Sequence, residues 1–234
     1  MSEIAIIMAA GLGTRMRPLT DIIPKPLVKV CGKPMIETVI DGLNRRDINK
    51  IYVVVGYLGE QFEYLKKKYN NIQIVKNKDY NTINNISSIY AVSDELINTD
   101  SDCFICEADL FIKDDSIFDV DLSHSCYFGK MINGYSEDWV FDLNKEGRIT
   151  RVGKKGEDCF NMVGIAWFNK KDAHLLGTLI RDAYKQKGYE GLFWDDVVNN
   201  NLNKLDLIVN GVKNNQIVEI DTVEELMKID NTYV

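Results

Sequence analysis

Apolar residues follow two rhythms along this chain, and the change between them falls near residue 110. In the first part, short continuous apolar runs alternate with segments whose apolar positions recur every three or four residues. Residues 4–10 and 51–56 are runs of the first kind, rich in Ile and Val, as expected of strands buried on both faces of a parallel sheet. Between them Met35, Ile36, Val39, Ile40 and Leu43 share one helical face. Residues 58–69 read as a helix, 72–75 as a strand, 86–97 as a helix and 102–107 as a fourth strand. This order, with its short connections, predicts an α/β fold: a Rossmann-like, doubly wound, mostly parallel mixed sheet that binds ligands at the carboxyl ends of its strands.

From about Phe111 the alternation becomes β-rich. Residues 125–131, 138–143, 148–152 and 162–168 read as short strands separated by Asn-Gly, Glu-Gly and Lys-Lys-Gly turns, laid over the crevice. Helices return at 170–187 and 194–202. A strand at 217–220 then delivers Asp221 to a helix over 222–229. A single domain is expected over 1–234.

Composition narrows the class. Hydrophobic residues at 45% and charged residues at 27% allow a sizeable core. The net charge of −7 argues against a nucleic-acid partner and makes the few clustered cations near the N-terminus more informative. No apolar run reaches transmembrane length and the start lacks a signal-peptide pattern, so a cytoplasmic protein without membrane contact is expected. Cys103 and Cys106 have CxxC spacing but lie in an apolar run without partners for a zinc site, so they read as core thiols. His124 and His174 read as structural.

The chemistry concentrates where the first strand meets Gly11-Leu12-Gly13-Thr14-Arg15-Met16-Arg17-Pro18. Glycines there let successive backbone N–H groups turn inward as a nest for anionic oxygens, and Arg15 and Arg17 add guanidinium groups. In Pro24-Lys25-Pro26 two prolines stiffen the backbone and present Lys25 as a point charge. The spacing is not a Walker A loop, because no Gly-Lys-Ser/Thr follows, nor a dinucleotide fingerprint, because Met16 stands where a third glycine is needed. Glu107 and Asp109 end the fourth strand on one side of it, and a hard cation takes one or two such carboxylates together with phosphate oxygens. Asp221 has a competing explanation, since Asp221 or Thr222 followed by Glu224 or Glu225 spells a helix capping box.

The pattern G-x-G-T-R-x-R-P-L-T followed by P-K-P-L resembles the nucleotidyltransferases that make sugar and alcohol nucleotides from a nucleoside triphosphate. The stretches Asn84-Asn85-Ile86-Ser87-Ser88-Ile89-Tyr90, Glu137-Asp138-Trp139 and Phe193-Trp194-Asp195-Asp196 look most like the bacterial cytidylyltransferases that act on phosphocholine. The resemblance implies the nucleotide-diphospho-sugar transferase type of fold. Residues 1–110 would be the nucleotide-binding core, and 111–234 the acceptor-binding region with the last metal-binding strand and helix. It implies small-molecule substrates, CTP and a phosphorylated amino alcohol, with Mg²⁺ held by Asp109 and Asp221. Arg15 and Lys25 would be catalytic. Ala10, Gly11, Leu12, Gly13 and Thr14 would join them around the phosphates, Asn84, Asn85 and Ser88 would lie near the base, and Glu107 and Ala108 would complete the nucleotide side. Trp139, Phe193, Trp194, Asp195 and Glu219 would meet the acceptor, the rings facing a trimethylammonium group.

The implied reaction is attack by an acceptor phosphate oxygen on the α-phosphorus of CTP, with pyrophosphate leaving. That oxygen is already anionic, so positioning and charge neutralisation do most of the work and no general base is required. Alternatives are another small acceptor (2-aminoethylphosphonate, phosphoethanolamine or a sugar 1-phosphate) and a non-catalytic nucleotide-binding subunit.

Overall fold

A computed structural model describes residues 2–233. Its first half comprises β1 (Glu3–Ala9), the hairpin β2 (Lys29–Val30) and β3 (Lys33–Pro34), α1 (Met35–Arg45), β4 (Lys50–Val55), α2 (Leu65–Lys68), β5 (Ile72–Lys76), α3 (Ile86–Tyr90), α4 (Ser93–Asn98) and β6 (Asp102–Glu107). β1 pairs in parallel with β4 on one side and β6 on the other, and β5 lies outside β4. Alternate residues of β1 serve two cores: Ala5, Ile7 and Ala9 pack with Ile36, Val39, Ile40 and Leu43 of α1, while Ile4 and Ile6 pack with Ile86, Ile89 and Leu176. A strand whose two faces are both buried needs the continuous apolar run seen in its sequence.

The second half contains β7 (Leu110–Ile112), β8 (Cys126–Met131), β9 (Tyr135–Leu143), β10 (Ile149–Glu157), β11 (Phe160–Phe168), α5 (Lys170–Ala183), α6 (Trp194–Asn199), β12 (Ile208–Gly211), β13 (Ile217–Glu219) and α7 (Val223–Ile229). β11 runs antiparallel to β6 and extends the parallel block into a nine-stranded mixed sheet with the order β10-β9-β11-β6-β1-β4-β5; β8 also pairs with β11, and β12 with β8. β7 and β13 form a separate antiparallel pair.

Several expected elements change in detail. The helix expected over 58–69 is a 3₁₀ turn, Gly59–Phe62, followed by the four-residue α2; Leu58, left-handed at φ 47°, stands outside the turn as its N-cap. The helix expected over 86–97 breaks at Val92, whose φ of −118° is not helical. Lys154-Lys155-Gly156 is not a turn: it lies inside β10, where Lys155 at φ 69° and a register shift against β9 absorb the extra residue as a bulge. Cys103 and Cys106 are fully buried, and burial pushes both thiols up from their ordinary value. Among the described residues no helix is long and apolar enough to cross a membrane.

Candidate active site

The carboxyl ends of β1 and β6, the loop after β1, the β9–β10 hairpin and the start of α6 enclose one cleft of about 740 Å³. Its floor is the loop. Gly13 is left-handed there, at φ 63°, and a Cβ on it would lie 2.9 Å from the Cβ of Lys25 and 3.2 Å from Cγ2 of Thr20. Both the conformation and the close approach therefore require glycine. Thr20 fixes the turn by donating its hydroxyl to the Gly13 carbonyl at 2.7 Å. Gly11 does not need a positive φ. Ala10, Gly11, Gly13, Thr14 and Arg15 line the cleft; Leu12 does not, and its side chain is exposed.

Lys25 sits in a 3₁₀ turn that begins after Pro24. It is buried rather than held out into solvent, and its ammonium group is bonded to two carboxylates, Asp109 Oδ2 at 2.5 Å and Asp221 Oδ1 at 2.6 Å. Burial alone would lower its pKa, but Asp109 and Asp221 outweigh burial and raise it above the ordinary lysine value. Arg15 Nη2 reaches the same Asp221 oxygen at 2.8 Å. Four residues far apart in sequence thus form one charged cluster.

The β7–β13 pair explains how Asp221 arrives there. Glu219 is registered opposite Leu110, and the Ile220 N–H continues the ladder to the Asp109 carbonyl at 3.3 Å. The next residue, Asp221, is therefore beside Asp109. The capping role falls to Thr222, whose hydroxyl accepts the Glu225 N–H at 3.2 Å while the Glu225 carboxylate accepts the Thr222 N–H at 3.0 Å. Asp221 is left free to face the cleft.

Glu107, Asp109 and Glu219 each bring a carboxylate oxygen within 4.8 Å of the others. Burial, Asp109 and Glu219 push Glu107 well above the usual carboxylate range. Desolvation, Asp109 and Asp221 raise Glu219, although solvent reaches it through the cleft mouth. Room for Glu107 comes from Gly164, left-handed at φ 74°, where a Cβ would lie 2.9 Å from the Glu107 carboxylate. Seven carboxylates but only three cations (Arg15, Lys25 and Lys154) line the cleft, so admitting a triphosphate calls for further positive charge. A hard divalent cation fits this donor set. Asp109 and Asp221 share the Lys25 ammonium, and Glu107 and Glu219 stand beside Asp109 with oxygen ligands only; Asp221 is not part of that carboxylate trio.

The far wall is aromatic. Trp139 and Phe193 meet edge to face with centroids 5.3 Å apart, and Lys154, registered opposite Trp139, places Nζ 5.8 Å from the Trp139 ring centre and 5.7 Å from that of Phe193. Glu137 and Asp138 line the same side.

Two residues expected on this wall lie elsewhere. Trp194 is in the core, stacked on Tyr127 at 5.6 Å and edge-on to Phe168. Asp195 is buried and accepts the Tyr127 hydroxyl at 3.0 Å, and burial raises its pKa to about 7. The phase of α6 is the reason. Phe193 is its N-cap and faces the cleft, whereas Trp194, Val197 and Val198 form the inward face. Asn84 and Ala108 also lie off the cleft wall: Asn84 bonds the Gly191 carbonyl, and Ala108 is buried in the core. Asn85 and Ser88 do line it. Lys154 and Gly164 had no sequence signal, because their places depend on pairing across β10 and β11.

Residues 4–124 match the Nucleotidyl transferase family. A 2-aminoethylphosphonate cytidylyltransferase from Lancefieldella rimae is 53% identical over 230 residues, 98% of this chain and 93% of its own length. A choline-phosphate cytidylyltransferase from Streptococcus pneumoniae is 35% identical over 97% of this chain and 96% of its own. The solved structure of CTP:phosphocholine cytidylyltransferase from Streptococcus pneumoniae superimposes with a TM-score of 0.89 at 34% identity, covering 100% of both chains.

Proposed function

This chain belongs to the Nucleotidyl transferase family and is an enzyme of the cytidylyltransferase type, and from that premise we propose that it transfers CMP from CTP to 2-aminoethylphosphonate, releasing pyrophosphate. The observation that carries the choice of acceptor is the position of Lys154. Its ammonium group lies over both rings of the only aromatic pair on the cleft wall among the described residues. A trimethylammonium group would have to share those ring faces with a like charge, whereas a primary ammonium can donate to Glu137 or Asp138, which line the same side. The relative at 53% identity supports the same reading.

In the proposed reaction a phosphonate oxygen attacks the α-phosphorus in line, the bond to the bridging oxygen breaks and pyrophosphate leaves. Lys25 and Arg15 neutralise the triphosphate, with the loop amides of Gly11 and Gly13 as further donors. Asp109 and Asp221 would hold Mg²⁺, which supplies the charge that lets two anions approach. Lys25, in hydrogen-bond contact with both aspartates, keeps them oriented.

Phosphocholine is a second reading, favoured by the edge-to-face pair Trp139–Phe193, whose ring faces become free if Lys154 turns to the acceptor phosphate. Pyrophosphate release with CTP and Mg²⁺ separates the two. We expect kcat/KM for 2-aminoethylphosphonate to exceed that for phosphocholine by about tenfold or more, the worth of one charged contact. A preference for phosphocholine would reverse the assignment.

A further inference from the structure

The loop that carries Phe193 is tied to the body of the protein by hydrogen bonds to two asparagines and by the buried ring of Trp194 that follows it. The Asn84 N–H donates to the Glu190 carbonyl at 2.9 Å and its side-chain NH₂ to the Gly191 carbonyl at 3.2 Å. The Trp194 N–H donates to Asn85 Oδ1 at 3.0 Å. Among the described residues, the remaining hydrogen bonds of 189–193 stay within this loop and the first turn of α6. Phe193 therefore stands between two anchors, one at Gly191 and one at Trp194.

Asn85 has a second face. Because a backbone N–H requires an acceptor, the Trp194 contact fixes its amide orientation, with oxygen toward Trp194. The NH₂ group has no protein partner among the described residues, on a side chain that lines the cleft beside Ser88. One amide is thus shared between the nucleotide side of the cleft and the start of α6.

We propose that Asn85 is a positioning residue for the acceptor site: through Trp194 it holds Phe193 on the cleft wall, so that acceptor binding rather than base selection depends on it. The inference rests on the acceptor lying against Trp139 and Phe193, as proposed above. Asn84 reinforces the arrangement from the other end of the loop. A ligand that engages the Asn85 NH₂ also steadies the wall, so the nucleotide and the acceptor should each tighten the binding of the other.

The test compares wild type, Asn85→Ala and Asn85→Asp; aspartate keeps an oxygen for the Trp194 N–H and loses the NH₂. Steady-state kinetics use CTP or UTP with whichever acceptor the wild type turns over best. Hydrogen exchange over residues 188–196 needs no acceptor at all. For Asn85→Ala we expect the acceptor KM to rise about tenfold, as for a lost hydrogen bond, with an unchanged preference for CTP over UTP. Amides of 190–194 should exchange faster, and Asn85→Asp should restore slow exchange. Wild-type acceptor KM and exchange in Asn85→Ala, together with a collapsed preference for CTP, would make Asn85 a base reader and overturn the proposal. If the wild type uses neither acceptor the reading of the reaction fails, while the exchange experiment still decides the role of Asn85.

Discussion

Asp221 and Thr222 are adjacent in sequence and turn their side chains to opposite tasks. Asp221 Oδ1 accepts from Lys25 at 2.6 Å, while Thr222 Oγ1 accepts the Glu225 N–H as the cap of α7. Substitution should therefore separate stability from turnover. Thr222→Ala should cost about 1 kcal/mol of stability, the usual worth of such a cap, and keep most activity. Asp221→Asn should remove most activity with little change in melting temperature. Denaturation midpoints and pyrophosphate release on both variants check this; a reversed pattern would return Asp221 to the role of a cap.

Gly13 offers a test of the loop. Alanine there must adopt a left-handed backbone, costing about 1–2 kcal/mol, and must also push against Lys25. Gly13→Ala should lower kcat far more than Gly11→Ala, because no atom lies within 4 Å of a Cβ on Gly11 and its φ is not positive. Turnover and thermal melting of the two variants supply the comparison.

The two tryptophans should behave differently. Trp194→Ala removes a buried ring and should cost about 3–5 kcal/mol, measured by denaturant titration. Trp139→Ala should leave the fold near wild type and change the acceptor KM. An unaltered acceptor KM would remove Trp139 from the acceptor site.

Asp195 gives a pH dependence with a definite sign. Its carboxyl titrates near 3.8 in the unfolded chain and about 7 in the fold, so between roughly pH 4 and 7 the native state binds more protons than the unfolded one. Its contribution makes stability fall as pH rises through that window and level off above it. Asn at 195 can still accept from Tyr127 and does not ionise. The melting temperature of Asp195→Asn relative to wild type should be higher at pH 7.5 than at pH 4.5; a pH-independent difference would show that Asp195 titrates normally.

Metal removal should stop turnover. With a chelator in excess no pyrophosphate should form, and Mg²⁺ should restore the rate. Asp109→Asn should raise the Mg²⁺ concentration needed for half-maximal rate, because one hard ligand becomes a weaker carbonyl. Activity that persists under chelation would exclude Mg²⁺ from Asp109 and Asp221.

The parallel core was legible because its strands are buried on both faces and so carry unbroken apolar runs. Arg15, Lys25 and Asp109 were legible for a related reason: each follows a strand end or lies in a rigid loop, where local sequence fixes direction. Asp221 was singled out by the family resemblance, because its place beside Asp109 depends on the register of β13 against β7. Residues whose facing depends on phase or register were not. Trp194 and Phe193 are neighbours at a helix start, and a shift of one residue exchanges the core with the cleft. Lys154 reaches the aromatic pair only through the bulged pairing of β10 with β9. The sequence places Asn84 near the base, but its partner is a loop more than a hundred positions away, which no local pattern reveals.

The small ladder between β7 and β13 also sets a timetable for synthesis. Lys25 and all four strands of the parallel block belong to the part of the chain made first, and Asp109 follows at once. The second aspartate waits for the stretch after β12, since Ile217, Val218 and Glu219 must find Ile112, Phe111 and Leu110 across a long separation. A growing chain can thus assemble half of its sheet around a lysine that still has a single counter-charge. On the role proposed for Asp221, competence then arrives late, and fragments that end before β13 should be inert however well their strands are packed.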